Sequence, residues 1–167
     1  MNNVEWTPEW LAETIKLLRT HGSDTQFIEV KKAHGGYPGS LDATLSSFSN
    51  SSTGGIIICG LDENNDFAPV GVYDPADLEK TLGNKLRRGL KPPNTMESGT
   101  ILYEDAKIFV AAIPPLPPYE RPAYIGGKAY VRSGDGDHEM SRHETDLMVA
   151  QRTRTGFDEE PVEYTSL

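Results

Sequence analysis

Three acidic side chains have the chemistry and the positions that could hold a divalent cation. Glu29 lies within a predicted strand, Asp62 follows the apolar run Ile56–Gly60, and Asp24 precedes the first strand. Mg²⁺ and Mn²⁺ prefer oxygen ligands, so carboxylates that converge at the ends of neighbouring strands can bind such an ion. The bound ion would activate water for attack on a phosphodiester. In the structural alternative, Glu29 pairs with Lys31 or an arginine, and Asp62 makes a turn hydrogen bond.

Basic side chains indicate a second chemistry, the binding of phosphate groups. One lysine follows Glu29 in the same strand, a basic run ends a predicted helix, and two further cations follow a glycine turn. Such clusters contact phosphates without reading sequence. The alternative for the basic run is a solvated helix end, where the macrodipole favours cations. The candidates for phosphate contacts are Lys31, Lys85, Arg87, Arg88, Lys128 and Arg132.

Cofactor chemistry has little support in the sequence. The four histidines lack the helical spacing of a zinc site. The turn Gly126–Gly127 with Lys128 fails the phosphate-loop pattern, because a strand follows it rather than a helix. We therefore expect no cofactor, with Mg²⁺ or Mn²⁺ required only by the carboxylate alternative. Cys59 is the only cysteine, which excludes an internal disulfide and favours a reducing cytoplasm.

The charge of the chain argues against a strong nucleic-acid binder. The net charge is -9, whereas phosphate neutralisation needs clustered lysine and arginine. The acidic residues are concentrated at the ends: residues 1–30 carry -3 and residues 155–167 carry -4. Residues 31–154 are therefore close to neutral, at -2. The polar start of the chain and the lack of a long apolar segment predict neither a secretory signal nor a membrane span.

The order of predicted elements indicates the fold class. Helices are predicted at 8–21, 41–48, 75–88 and from the capping box Ser141–Glu144 onwards, and strands at 26–33, 56–60, 68–72, 100–104, 107–113, 123–125 and 129–132. We expect the strand at 68–72 to form a hairpin with the one at 56–60. The prediction is an α/β (α+β) domain with one mixed β-sheet, helices packed on it, and a β-hairpin arm.

Five stretches in order resemble a known family. They are Phe27–Lys31, Leu45–Asn50 with Gly54–Gly55, Ile58–Asp62, Pro69–Val72 and Tyr124–Gly134. Together they resemble the Schlafen-type Alba-like domain, which is found at the N-terminus of bacterial transcriptional regulators and helicase-like proteins. The resemblance implies three parts: an N-terminal helix at 1–22, the domain itself at 23–154, and an acidic tail or linker at 155–167 that leads to a missing C-terminal region.

The resemblance implies a DNA-binding module that contacts mainly the phosphate backbone, with RNA as a further ligand. Its alternative comes from some eukaryotic Schlafen proteins, which cleave RNA with a metal held by acidic residues. Onto this sequence those residues map as Glu29, Asp62 and, more loosely, Asp24. A third interpretation is a module for protein interaction or homo-oligomerisation, which the net charge favours.

Two further hypotheses concern the binding surface. Tyr119, Tyr124 and Tyr130 could stack on unpaired bases, although aromatic residues in strands are more often part of a core. The acidic N-terminal helix could also fold over the basic surface and lower its affinity for nucleic acid.

Overall fold

The computed structural model describes residues 5–134 and 136–158, with side chains as far as residue 152. The helices are α1 (Pro8–His21), α2 (Leu41–Asn50), α3 (Pro75–Asn84) and α4 (Arg142–Asp158). The strands are β1 (Ile28–Lys31), β2 (Gly55–Cys59), β3 (Leu61–Asp62), β4 (Ala68–Pro69), β5 (Leu90–Lys91), β6 (Glu97–Tyr103), β7 (Ala106–Ile113), β8 (Tyr124–Ile125), β9 (Lys128–Ser133) and β10 (Gly136–Glu139). No helix in this described part is long and apolar enough to cross a bilayer.

The main sheet has the strand order β1–β2–β7–β6 and is mixed. Strand β2 runs parallel to β1 and antiparallel to β7, so it lies inside the sheet. The unbroken apolar run of β2 fits this position, because a strand covered on both faces needs apolar residues at consecutive positions. Ile57 and Ile58 point to opposite faces and both are fully buried.

Separate cores cover the two faces of the main sheet. Helix α1 packs Leu11, Ile15 and Leu18 against one face. Helices α2 and α3 pack against the other face, where Phe48 and Phe109 belong to the same buried core. The prediction of a mixed sheet with helices packed on it is confirmed.

A second sheet, with the order β10–β9–β8–β5, extends the predicted hairpin and lies against α2. Asn50 at the end of α2 holds it in place. Its side-chain nitrogen donates to the carbonyls of Ala123 and Tyr130, and its oxygen accepts from the Ala123 backbone N–H at 2.7 Å. A buried amide is stable only when its polar atoms are paired, so these bonds orient the second sheet.

Local signals predicted the helix ends well. The Thr7 hydroxyl accepts from the Trp10 N–H, and Gly22 ends α1 in the left-handed conformation at φ 78°. The capping box has both of its bonds, between the Ser141 N–H and a Glu144 carboxylate oxygen and between the Glu144 N–H and the Ser141 hydroxyl. The predicted helix up to residue 88 continues from α3 into a π-helical turn, Lys85–Gly89.

One expectation differs from the structure. Residues 68–72 do not return along β2: only β4 pairs, and its partner is β3, because β1 and β7 already occupy both edges of β2. Helix α4 runs to Asp158, which places the start of the predicted tail within a helix. The rest of that tail, from residue 159, lies outside the described residues.

Candidate functional site

A buried ion-pair cluster joins the two sheets. Arg132 on β9 donates from Nη1 to Glu29 Oε1 at 2.7 Å and to Asp137 Oδ1 at 3.1 Å. The side chains of Arg132 and Glu29 are only 2% and 7% exposed. Burial lowers the pKa of Arg132, but the hydrogen bonds and charges of the two carboxylates outweigh it and raise the pKa overall. The guanidinium therefore stays charged.

The remaining nitrogens of Arg132 bind the backbone before and within β1. Nε and Nη2 donate to the carbonyl of Thr25, and Nη2 also donates to the carbonyl of Ile28. On the same free edge, the Val30 N–H donates to Asp24 Oδ1 at 3.1 Å. These side chains thus form hydrogen bonds with backbone groups on the free edge of β1, which could otherwise pair with another strand.

Asp137 connects the cluster to α2. It accepts from the hydroxyls of Thr44 and Ser47, at 2.7 and 2.5 Å. Asp137 was not among the predicted site residues, although it stands directly opposite Arg132 in the β9–β10 register. Recognition of the turn at Ser133 and Gly134 as a hairpin would have placed the two side chains together.

Asp24 lies among carboxylates rather than cations. Its backbone N–H donates to Glu63 Oε2 at 3.2 Å. Burial, together with hydrogen bonding to and repulsion from Glu63 and Glu29, raises the pKa of Asp24 to about 9. Asp24 is therefore protonated at neutral pH, which removes a negative charge from this edge of the sheet.

The three acids of the metal hypothesis are each engaged in the fold. Glu29 uses Oε1 for Arg132 and lies 3.3 Å from Lys31 through Oε2. Asp62 accepts from the Asn64 N–H and lies 3.9 Å from Lys32. Within residues 5–134 and 136–158, no three histidine, cysteine or acidic side chains are placed to hold a metal. These contacts match the structural alternative, in which Glu29 pairs with Lys31 and an arginine.

The predicted phosphate contacts separate into engaged and free side chains. Arg132 is buried, and Lys31 is largely covered beside Glu29. Lys85 pairs with Asp42 at 3.1 Å and lies over the ring of Tyr37, whose hydroxyl donates to the same carboxylate. Burial and this hydrogen bond raise the pKa of Tyr37. These three cations are thus partly or wholly neutralised.

Residues 85–91, called here the basic turn, carry three unpaired cations besides Lys85. Arg87, Arg88 and Lys91 are exposed, and none of them makes an ion pair or side-chain hydrogen bond with the described residues. Leu86 and Leu90 on the same turn are buried in the core, so the turn is fixed on the body of the domain.

The second sheet brings Lys128 close to the basic turn. Leu90 pairs with Ile125, and Ile125 pairs with Lys128, so these three residues form one row across β5, β8 and β9. At a strand spacing of about 4.8 Å, Lys128 lies about 10 Å from Leu90. Lys128 is 56% exposed and contacts the equally exposed Glu139 at 3.6 Å. Lys128 therefore lies near the C-terminal end of the basic turn.

Helix α1 does not lie over this surface. It packs on the other face of the main sheet, whereas the basic turn belongs to the core formed by α2 and α3. The hypothesis that α1 covers the basic surface is wrong, because its apolar residues are committed to the opposite face.

Comparison with known proteins agrees with this architecture. Residues 24–141 match the Schlafen AlbA_2 family, so the chain belongs to that family. No curated protein matches the chain. A similar solved structure is the N-terminal domain of a RecG-related helicase-like protein from Nitrosomonas europaea. It is 23% identical with a TM-score of 0.58, over 78% of this chain and 94% of that one.

A protein from Corynebacterium diphtheriae is also similar in fold, at 15% identity and a TM-score of 0.57. The similarity covers 86% of this chain and 32% of that larger one. At these identities both likenesses define the fold alone. The family assignment and the fold expected from the sequence motifs are thus confirmed.

Proposed function

We propose that this domain binds the phosphate backbone of nucleic acid, DNA in the first place, through the basic turn and Lys128. The observation that carries the proposal is the state of Arg87 and Arg88: in an acidic chain they are exposed and unpaired with any described residue. Of the other cations singled out in the sequence, Arg132, Lys85 and Lys31 are held by carboxylates, and Lys128 has an exposed pair with Glu139. Unneutralised arginines on a rigid turn can bind phosphate oxygens in bidentate fashion.

The size of the surface sets the expected strength of binding. Arg87, Arg88, Lys91 and Lys128 offer about four phosphate contacts, so the affinity should fall with salt with a logarithmic slope of about -3 to -4. Binding should be weak at physiological salt, because few contacts are available and the whole chain is acidic. A modest, sequence-independent affinity suits a module that acts beside a second, stronger domain.

The family and the neighbouring structure support a place within a larger protein. The similar structure from Nitrosomonas europaea is itself the N-terminal domain of a helicase-like protein. We infer that this domain holds DNA for a C-terminal region of a bacterial regulator or helicase-like protein. Backbone contacts without base readout would keep such a protein on DNA while its partner domain supplies specificity or catalysis.

The test is fluorescence anisotropy with a labelled DNA duplex at 50 and 200 mM salt. The wild-type protein should lose affinity by about a hundredfold between the two salt concentrations. The double variant Arg87→Gln with Arg88→Gln should bind more weakly at low salt, and its slope should be smaller by about two. An unchanged slope in this variant would overturn the proposed surface.

A matched control separates local contacts from net charge. Arg88→Gln and Lys16→Gln change the net charge equally, but Lys16 is exposed on α1, on the opposite side of the main sheet. We expect only Arg88→Gln to weaken binding. Equal effects would show that the whole charge, rather than the basic turn, governs the interaction.

The same assay decides between this proposal and its alternatives. RNA that shortens only with Mn²⁺, and no longer does so in Asp62→Asn, would establish the metal-dependent nuclease. Asp62 is suited to this test because Glu29→Gln would also disturb the buried cluster. If neither duplex nor single strands bind at 50 mM salt, the remaining interpretation is a module for protein interaction or homo-oligomerisation.

A further inference from the structure

Phe27 stands between two cavities at the start of β1. It is 49% exposed, although it belongs to one of the most apolar residue types. On one side is a cavity of about 250 Å³, called here the Phe27 pocket, which Gln26, Ser52 and Val131 also line. On the other side is a more apolar cavity of about 340 Å³ beside Ile28.

The Phe27 pocket combines fixed walls with free polar groups. Asn50, Ser47 and Arg132 line it, and the bonds described above commit their side chains to the fold. Gln26 and Ser52 are exposed and make no hydrogen bond with their side chains in the described part of the chain. The pocket therefore offers an amide and a hydroxyl that can both donate and accept, on a rigid frame.

These features favour a flat, neutral ligand. The free polar groups carry no charge, and the buried Arg132 is already neutralised by Glu29 and Asp137. The volume lies just below the range of about 300–1,000 Å³ that is typical of drug-sized ligands, so a single ring system is the appropriate size. An exposed aromatic ring beside amide and hydroxyl groups is the combination that binds unpaired bases by stacking and edge hydrogen bonds.

We propose that the Phe27 pocket binds one unpaired nucleobase of a single-stranded segment, with the base stacked on Phe27 and its edge bonded to Gln26 and Ser52. The inference rests on the proposed function, because the basic turn would hold the backbone of the same strand. Strand β9 connects the two sites: Lys128 lies at its start, and Arg132 lies about 13 Å further along, beside the pocket.

The proposal deepens the function in one respect. Phosphate contacts alone do not distinguish duplex from single strand, whereas a base can enter this pocket only when it is unpaired. The domain would then prefer the junctions and displaced strands on which helicase-like proteins act. None of the tyrosines considered in the sequence analysis lines the Phe27 pocket.

The test compares three labelled 12-nucleotide probes: a single strand, the same strand with all bases removed, and the duplex. The wild-type protein should bind the single strand more tightly than the abasic strand. Phe27→Ala should lower the affinity for the single strand about fivefold or more, and leave the affinity for the abasic strand and the duplex unchanged. Its salt slope should equal that of the wild type, because no phosphate contact is lost.

Two further variants keep the result interpretable. Phe27→Leu retains apolar packing but removes the ring, so it should lose affinity as Phe27→Ala does, with the unfolding midpoint kept near that of the wild type. Tyr73→Ala is the matched control, since Tyr73 is 85% exposed but stands beside Asp74 and Asp77. It should bind all three probes as the wild type does.

The outcomes separate this inference from the proposed function. Salt-sensitive duplex binding that depends on Arg87 and Arg88, with no difference between the base-containing and abasic strands, would overturn the pocket and leave the phosphate surface intact. Equal losses with Phe27→Ala on all three probes would also overturn it. No binding to any probe would overturn both.

Discussion

The guanidinium of Arg132 lies 2.7 Å from the carboxylate of Glu29, and this contact ties the second sheet to the edge of the main sheet. The two residues are 103 positions apart and almost fully buried. Glu29 thereby becomes part of the framework, although its type and position suggested a metal ligand. The same framework holds β9, and through it fixes Lys128 relative to the basic turn.

Removal of the arginine should destabilise the domain strongly. Arg132→Met leaves the buried carboxylates of Glu29 and Asp137 without a counter-charge, which should lower the free energy of unfolding by about 3–5 kcal/mol. Urea denaturation followed by circular dichroism measures this change. Lys128→Met is the control: its exposed pair with Glu139 should contribute less than about 1 kcal/mol. Similar losses in both variants would contradict the assigned role of the cluster.

Asp24 should make the domain less stable as the pH rises. Its pKa is about 9 in the folded state, against an ordinary value of 3.8, so between these values only the folded chain retains the proton. The stabilisation is complete below about pH 4 and is lost progressively towards pH 9. Asp24→Asn is neutral throughout and can still accept from Val30, so its advantage over the wild type should grow between pH 5 and 8.5.

Thermal melts of both proteins across this pH range measure that difference. Asp66→Asn is a suitable comparison because the Asp66 side chain is 77% exposed. It should not change the pH dependence. A constant difference between Asp24→Asn and the wild type would show that Asp24 is ionised in the folded domain.

Asp42 should restrain the basic turn electrostatically. It neutralises Lys85 at 3.1 Å, next to the exposed Arg87 and Arg88. Asp42→Asn keeps the acceptor for Tyr37 but removes the charge, so it should raise the affinity for duplex DNA a few-fold and make the salt slope steeper by up to about one. Anisotropy titrations at several salt concentrations measure both. An affinity that stays the same would place Lys85 outside the binding surface.

Cys59 should be inert in the folded domain. The thiol is fully buried within β2, and burial raises its pKa to about 12. The thiolate is the reactive form, so labelling by a chromogenic disulfide should require unfolding. The labelling rate should rise with urea in parallel with the fraction unfolded, and Cys59→Ser should give no signal. Fast labelling in native buffer would show that β2 opens locally.

Much of the fold could be predicted from short-range patterns in the sequence. The ends of α1 and the capping box of α4 depend on residues within one helical turn, so their chemistry is visible in the sequence. The apolar run of β2 likewise predicted a strand buried on both faces. The family assignment followed from motifs kept in order along the chain.

Only part of the proposed binding surface could be predicted from the sequence. The sequence singled out Arg87, Arg88 and Lys128 as cations near turns; all three are exposed, and the row across β5, β8 and β9 brings Lys128 near the basic turn. The sequence also predicted Arg132 as a phosphate contact, although this side chain is buried. The periodicity of a strand cannot distinguish such a buried arginine from an exposed cation on the same hairpin. Phe27 and Gln26 were overlooked, because a cavity is formed by segments that meet only after folding.

The sequence by itself therefore determined the helices, the central strand, the family and the supply of cations, because each depends on neighbouring residues. The tertiary structure decided which charges remain free. Arg132 finds its partners at Thr25 and Glu29, 107 and 103 residues away, while Arg87 and Arg88 find none among the described residues. The physical reason is that burial makes an unpaired charge costly, so packing between distant segments selects which cations are neutralised and which remain available to a ligand.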